Sequence, residues 1–132
     1  MKVLFICKGN WFRSQIAEAV YNQITKTSDA SSAGTYVGAE GEPEGQKISN
    51  LLPTGFFKAM ESYGLKMRDK LTRKLTPEML NDADLIASMA QEPYSPDYLR
   101  NDPRVIWWDV ADNQGVEKTY QKISALVNNL VT

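Results

Sequence analysis

Histidine is absent from this sequence, and cysteine occurs once, at Cys7. The first absence excludes every Ser-His or Cys-His catalytic couple and any imidazole-ligated zinc site. The second excludes an intramolecular disulfide and any multi-cysteine metal centre, and a lone thiol fits a reducing compartment. An excess of positive charge is missing too: 15 Lys and Arg stand against 16 Asp and Glu, a formal charge of −1. Nucleic-acid and anionic-membrane surfaces depend on clustered positive charge, so neither partner is expected, whereas local anion binding stays compatible. Long apolar runs are also lacking. The stretch that follows Met1-Lys2 is too short for a signal peptide or a membrane span, and the chain is expected to be cytoplasmic. Its 132 residues fit a single domain, 1–132, with a substantial core.

What is present begins with the run Lys2-Val3-Leu4-Phe5-Ile6, which reads as a buried strand. It feeds Cys7-Lys8-Gly9-Asn10-Trp11-Phe12-Arg13-Ser14, a loop whose glycine and asparagine tolerate positive φ and which closes where a helical pattern begins. Amides turned inward round such a loop, together with the free amides of the following helix, make a cradle for a tetrahedral oxyanion. The same cradle favours a thiolate at its centre, so Cys7 is expected to ionise easily. With no histidine to act as base, activation of Cys7 has to be electrostatic. Arg13 offers a planar fork that matches two phosphoryl oxygens. The Ser14 hydroxyl is within sequence reach of the sulfur, with its direction left open.

Further on, Ile16, Val20 and Ile24, with Ala17 and Tyr21 beside them, predict a one-sided helix from Gln15 to about Lys26. Ala30–Thr35 is a run of small residues, and Tyr36–Pro53, carrying Pro43, three glycines and Glu40, Glu42 and Glu44, reads as a loop. A helix is expected from Gly55 to about Tyr63 with Gly64 as its stop. Lys66, Arg68, Lys70, Arg73 and Lys74 read as a solvated face. Thr76 and Pro77 are expected to cap a short helix, Asp84–Met89 and Arg104–Trp108 to be strands, and Gly115 to precede a closing helix with Val116, Tyr120, Ile123, Val127 and Leu130 on one side. This alternation implies a three-layer α/β/α fold, a four-stranded parallel sheet covered on both faces, with ligands beyond the carboxyl ends of the strands.

The loop Cys7–Ser14, set between a first strand and a helix, resembles the C-x-G-N-x-C-R-S loop of the low-molecular-weight protein tyrosine phosphatases, and Ser32-Ala33-Gly34 resembles a second feature of that family. The resemblance covers almost the whole chain and implies a flavodoxin-like strand order 2-1-3-4. It implies a phosphatase acting on phosphotyrosine or aryl phosphate monoesters, on a phosphorylated protein or a small aryl phosphate, with Cys7 as nucleophile, no cofactor and no metal. Lys8, Gly9, Asn10, Trp11, Phe12, Arg13 and Ser14 would bind the phosphate, and Tyr36 is a candidate wall of the cleft. Phe12 replaces the second cysteine found in many members, so their protective disulfide is not expected here. The family's acid stands in an Asp-Pro pair after the last strand. Here Asp102-Pro103 precedes that strand and is expected in a turn at the sheet's far edge, whereas Asp112 takes the acid's position, with Asn113 in place of the proline and Asp109 as the alternative. Two other functions stay open: arsenate reduction with an external thiol, and a phosphate-binding module without turnover. The natural substrate and the oligomeric state are likewise open.

Overall fold

The computed structural model describes all 132 residues. Four parallel strands, β1 (Val3–Cys7), β2 (Ala30–Gly34), β3 (Leu85–Ser88) and β4 (Val105–Trp107), lie in the order β2-β1-β3-β4. Four helices, α1 (Arg13–Thr25), α2 (Thr54–Ser62), α3 (Asp97–Arg100) and α4 (Val116–Val131), complete the fold, with 3₁₀ turns at Ile48–Asn50 and Pro77–Asp82. No helix is long and apolar enough to cross a membrane.

The central position of β1 follows from its sequence. Every residue of β1 is buried, because successive side chains point to opposite faces and both faces are covered. Val3, Phe5 and Cys7 join the larger core with Ile16 and Val20 of α1, Phe56, Phe57 and Met60 of α2, and Ile123 and Val127 of α4. Leu4 and Ile6 face the smaller core, with Leu75, Leu80, Ile86 and Leu99. The sheet is thus wrapped unequally: long helices on one side, short turns and α3 on the other.

The departures from expectation have local causes. Ile24 is 37% exposed rather than packed. Steps of four residues rotate about 40° each on a 3.6-residue helix, so a stripe begun at Ile16 has turned toward solvent by the last turn of α1. Thr76 precedes its helix but makes no side-chain cap. Its backbone carbonyl accepts the Met79 N–H at 3.1 Å, which removes the donor a cap hydroxyl would have served. Gly64 does end α2 as expected, at φ +82°. The loop after Tyr36 is tied down at its centre. Thr72 is buried, its hydroxyl donates to the Pro43 carbonyl at 2.7 Å, and its backbone exchanges hydrogen bonds with Gly45 and Gln46. The basic segment is solvated at Lys66, Arg68, Arg73 and Lys74, but Lys70 lies 2.8 Å from Glu18.

Asp102 lies at the amino end of β4, away from Cys7, in a turn where its carboxylate accepts from the Arg104 N–H at 2.9 Å and from that side chain's Nε at 3.0 Å and Nη2 at 2.6 Å. Hydrogen bonds from the Arg104 side chain, above all, hold the Asp102 carboxyl below the ordinary aspartate range. A depressed carboxyl contributes stability that is present above the unfolded value and lost as pH falls through the folded one. Asp102→Asn is therefore expected to unfold at lower urea than the wild type at neutral pH, with the difference shrinking as pH falls through the folded carboxyl's value. Equal midpoints at neutral pH would show that the pair stabilises nothing.

Candidate active site

At the carboxyl end of β1 the chain turns through Lys8–Phe12 into α1. The turn needs a residue at φ +55°, and Asn10 supplies it, because its short amide can compensate a left-handed backbone with hydrogen bonds. Asn10 is completely buried. Its Oδ1 accepts the Arg73 backbone N–H at 2.8 Å, which fixes the orientation of the amide. Nδ2 then donates to Ser14 Oγ at 2.8 Å and to Ser32 Oγ at 2.9 Å. Gln15 supports the loop from the helix, donating to the Asn10 carbonyl at 3.1 Å and the Leu71 carbonyl at 3.0 Å. The small residues ending β2 let that strand approach: a Cβ on Gly34 would stand 2.7 Å from the Lys8 carbonyl oxygen.

Cys7 is buried at the base of this turn and carries a free thiol. Its Sγ receives the Asn10 N–H at 3.3 Å and lies 3.0 Å from Ser14 Oγ. The 3.0 Å contact allows donation from either atom. Ser14 Oγ already accepts from Asn10, so its own proton is free to go to the sulfur.

Arg13, the first residue of α1, is 2% exposed. Nη1 donates to the carbonyls of Met89 and Val110, both at 2.9 Å, and Nη2 to Gln91 Oε1 at 3.3 Å. Nε lies 3.3 Å from Asp112 Oδ1, close enough for ion pairing but without hydrogen-bond alignment, so it has no aligned acceptor. A desolvated cation with a free donor is costly unless an anion approaches it.

A small hollow is bordered by Cys7, Lys8, Gly9, Asn10, Trp11, Phe12 and Arg13, with Glu42 and Asp112 at its edge. The side chains of these residues do different things. The Phe12 ring is packed into the core, 5.7 Å from Phe56, and Asn10 is spent on the scaffold. Ser14 sits behind the sulfur, outside the hollow. Tyr36 also stays outside it, with its ring 5.0 Å from Tyr94 and Lys8 Nζ 4.4 Å from the Tyr94 ring. Asp109 borders a separate hollow beyond Arg13, beside Trp108 and Gln91.

Sequence reasoning missed Tyr94, Gln91 and Glu18. The first two lie in the punctuated stretch after β3, where no periodicity operates. Glu18 carried a signal: a carboxylate between Ala17 and Ala19, one helical turn after Ser14, on the buried side of an amphipathic helix.

These features define a class: an open parallel α/β protein whose lone thiol and buried guanidinium share one hollow at the carboxyl ends of the strands. The family model for low molecular weight phosphotyrosine protein phosphatase matches residues 2–96, and the chain belongs to that family. The low molecular weight protein tyrosine phosphatase of T. tengcongensis is similar over 99% of this chain and 97% of its own, at 25% identity and a TM-score of 0.76. The same fold recurs in the thioredoxin-dependent arsenate reductase of Corynebacterium glutamicum, with 21% identity over 98% of this chain and 59% of that one, TM-score 0.74. It recurs again in the YwlE arginine phosphatase of Geobacillus stearothermophilus, with 18% identity over 98% of this chain and 89% of that one, TM-score 0.75. No curated protein matches the sequence.

The scaffold role of Asn10 is measurable by urea unfolding. Asn10→Ala is expected to cost about 3 kcal/mol, about 1–3 from buried partners left unpaired and about 1 from the left-handed backbone. Asn10→Gly should be about 1 kcal/mol less damaging, because glycine relieves only the backbone part. Equal losses in the two variants would remove the backbone argument.

Proposed function

We propose that this phosphatase-family chain is a protein tyrosine phosphatase that hydrolyses phosphotyrosine or aryl phosphate monoesters through a phosphocysteine intermediate. The observation that carries the reading is the buried Arg13 guanidinium, with an Nε lacking an aligned acceptor, beside a hollow that also holds the Cys7 sulfur. A phosphoryl group placed there would meet Arg13, the amides of the turn and the unbonded amides of the first turn of α1.

In the first step Cys7 Sγ forms a bond to phosphorus as the ester P–O bond breaks, and Asp112 gives its proton to the departing oxygen. In the second, the Asp112 carboxylate takes a proton from water, whose oxygen attacks phosphorus and releases the thiolate and inorganic phosphate. Arg13 and the amides hold the equatorial oxygens in both steps. Asp112 is preferred to Asp109 because it borders the hollow and Asp109 does not. Trp11 at the hollow, with Tyr36 and Tyr94 nearby, supplies aromatic surface for an aryl leaving group.

One observation favours a second reading. Glu42 borders the hollow as well, so two carboxylates stand beside the anion position. They would suit a leaving group that carries positive charge, such as the guanidino group of a phosphoarginine, the substrate type named for the Geobacillus relative.

Turnover of an aryl phosphate, phosphotyrosine and N-phosphoarginine separates these readings. Cys7→Ser is expected to abolish hydrolysis, Asp112→Asn to lower kcat about a hundredfold to ten-thousandfold, and Asp109→Asn to leave it within about twofold. Activity in Cys7→Ser overturns the mechanism, and loss confined to Asp109→Asn moves the acid. A preference for phosphoarginine that Glu42→Gln removes would replace the tyrosine reading.

A further inference from the structure

The hollow beyond Arg13 is not used by the proposed chemistry, yet it is the roomier of the two. Its volume is about 280 Å³, just below the roughly 300–1,000 Å³ of pockets that enclose a whole small ligand, so it suits a single long side chain. Met89, Ala90 and Val110 give it apolar walls. The indole of Trp108, held by packing 5.6 Å from the Phe5 ring, gives it an aromatic one. Its polar groups, Gln91, Asp109 and Asp112, are exposed to solvent.

The charges around this hollow do not cancel. Arg13 is its one cation, 2% exposed, with Nη1 given to the Met89 and Val110 carbonyls and Nε 3.3 Å from Asp112. Asp112 therefore offsets Arg13, and Asp109 is left without an ion pair. An unpaired carboxylate, an indole and apolar walls together fit a long cationic side chain, whose head is drawn to carboxylate and ring while its methylene stem covers the walls. An acidic side chain would meet the Asp109 charge uncompensated, and an apolar one would desolvate it without giving it a partner. We propose that this hollow is a subsite for an arginine or lysine side chain that neighbours the phosphorylated residue of a protein substrate. The proposal rests on the phosphatase reading of the first hollow. Arg13 and Asp112 border both hollows, so a residue next to the phosphorylated one, its Cα about 3.8 Å along the chain, is within reach of the second when the phosphoryl group sits at Cys7. Arginine is the better occupant, because its planar guanidinium stacks on aromatic rings and meets a carboxylate through two donors.

Phosphotyrosine peptides that differ only in carrying Arg, Lys, Gln or Glu immediately before or immediately after the phosphotyrosine test this, with p-nitrophenyl phosphate as a substrate that has no neighbouring residue. In at least one of the two series, kcat/KM is expected to be about fivefold to tenfold higher for Arg than for Gln, with Lys between them and Glu lowest. Asp109→Asn should bring Arg and Gln to within about twofold of each other and leave p-nitrophenyl phosphate turnover as it is. Asp109→Lys should reverse the order in favour of Glu. Equal rates for Arg and Gln in both series, or an Arg preference that survives in Asp109→Asn, overturns the subsite. So does an Asp109→Asn loss that falls equally on the peptides and p-nitrophenyl phosphate, since it would mark Asp109 as the acid. A wild type that hydrolyses none of these substrates removes the phosphatase reading. The subsite is then decided by fluorescence anisotropy of the same labelled peptides on Cys7→Ser: tighter binding of Arg than of Gln, abolished by adding Asp109→Asn, supports it, and equal binding overturns it.

Discussion

A guanidinium withdrawn from water must recover hydrogen bonds and counter-charge inside the protein, and the carboxyl end of this sheet is arranged around meeting that demand at Arg13. Its Nη1 ties the start of α1 to the Met89 carbonyl just beyond β3 and to the Val110 carbonyl beyond β4. Three segments far apart in the chain are thereby set in register around one cation. The carbonyls satisfy its hydrogen bonds but bring no full negative charge, and the half-exposed Asp112 brings one without good alignment. The residual attraction for an anion is a property of the fold before any substrate is considered.

The second constraint is conformational. A strand that ends on a thiol and must enter a helix at once has to reverse within a few residues, and Asn10 makes that reversal with a left-handed backbone. Its amide then becomes the node joining β2, α1 and the segment at Arg73. The loop is therefore rigid for reasons that lie outside it. The preorganisation that a cysteine-centred reaction would need is supplied by β2 through Ser32 and by α1 through Ser14 and Gln15. The Glu18–Lys70 pair extends this support to the molecular surface.

Much of the architecture was legible because its causes are local. The apolar run of β1, the stripes of α2 and α4, the stop at Gly64 and the position of Gly115 before α4 each follow from a period or a backbone preference that a few neighbouring residues express. The failures share a different character. Ile24 obeys the four-residue spacing of its stripe, but that spacing winds it toward solvent by the last turn of α1. Thr76 is a good cap by type, yet a backbone carbonyl had already taken its donor. Apart from these, the packing of Tyr36 on Tyr94, a residue from beyond β3, is a contact that no short-range pattern expresses.

By itself the sequence determined the order of strands and helices, the presence of one thiol with an arginine six positions later, and the absence of any histidine to serve as base. These are matters of period, spacing and residue type. Only the tertiary structure placed Asp112 and not Asp109 at the border of the hollow, brought the Ser14 hydroxyl within 3.0 Å of the sulfur, and joined the Glu18 carboxylate to Ser32 of β2. Those outcomes depend on which groups from distant segments are left with an unspent donor or acceptor once the chain is packed, and that accounting exists only in three dimensions.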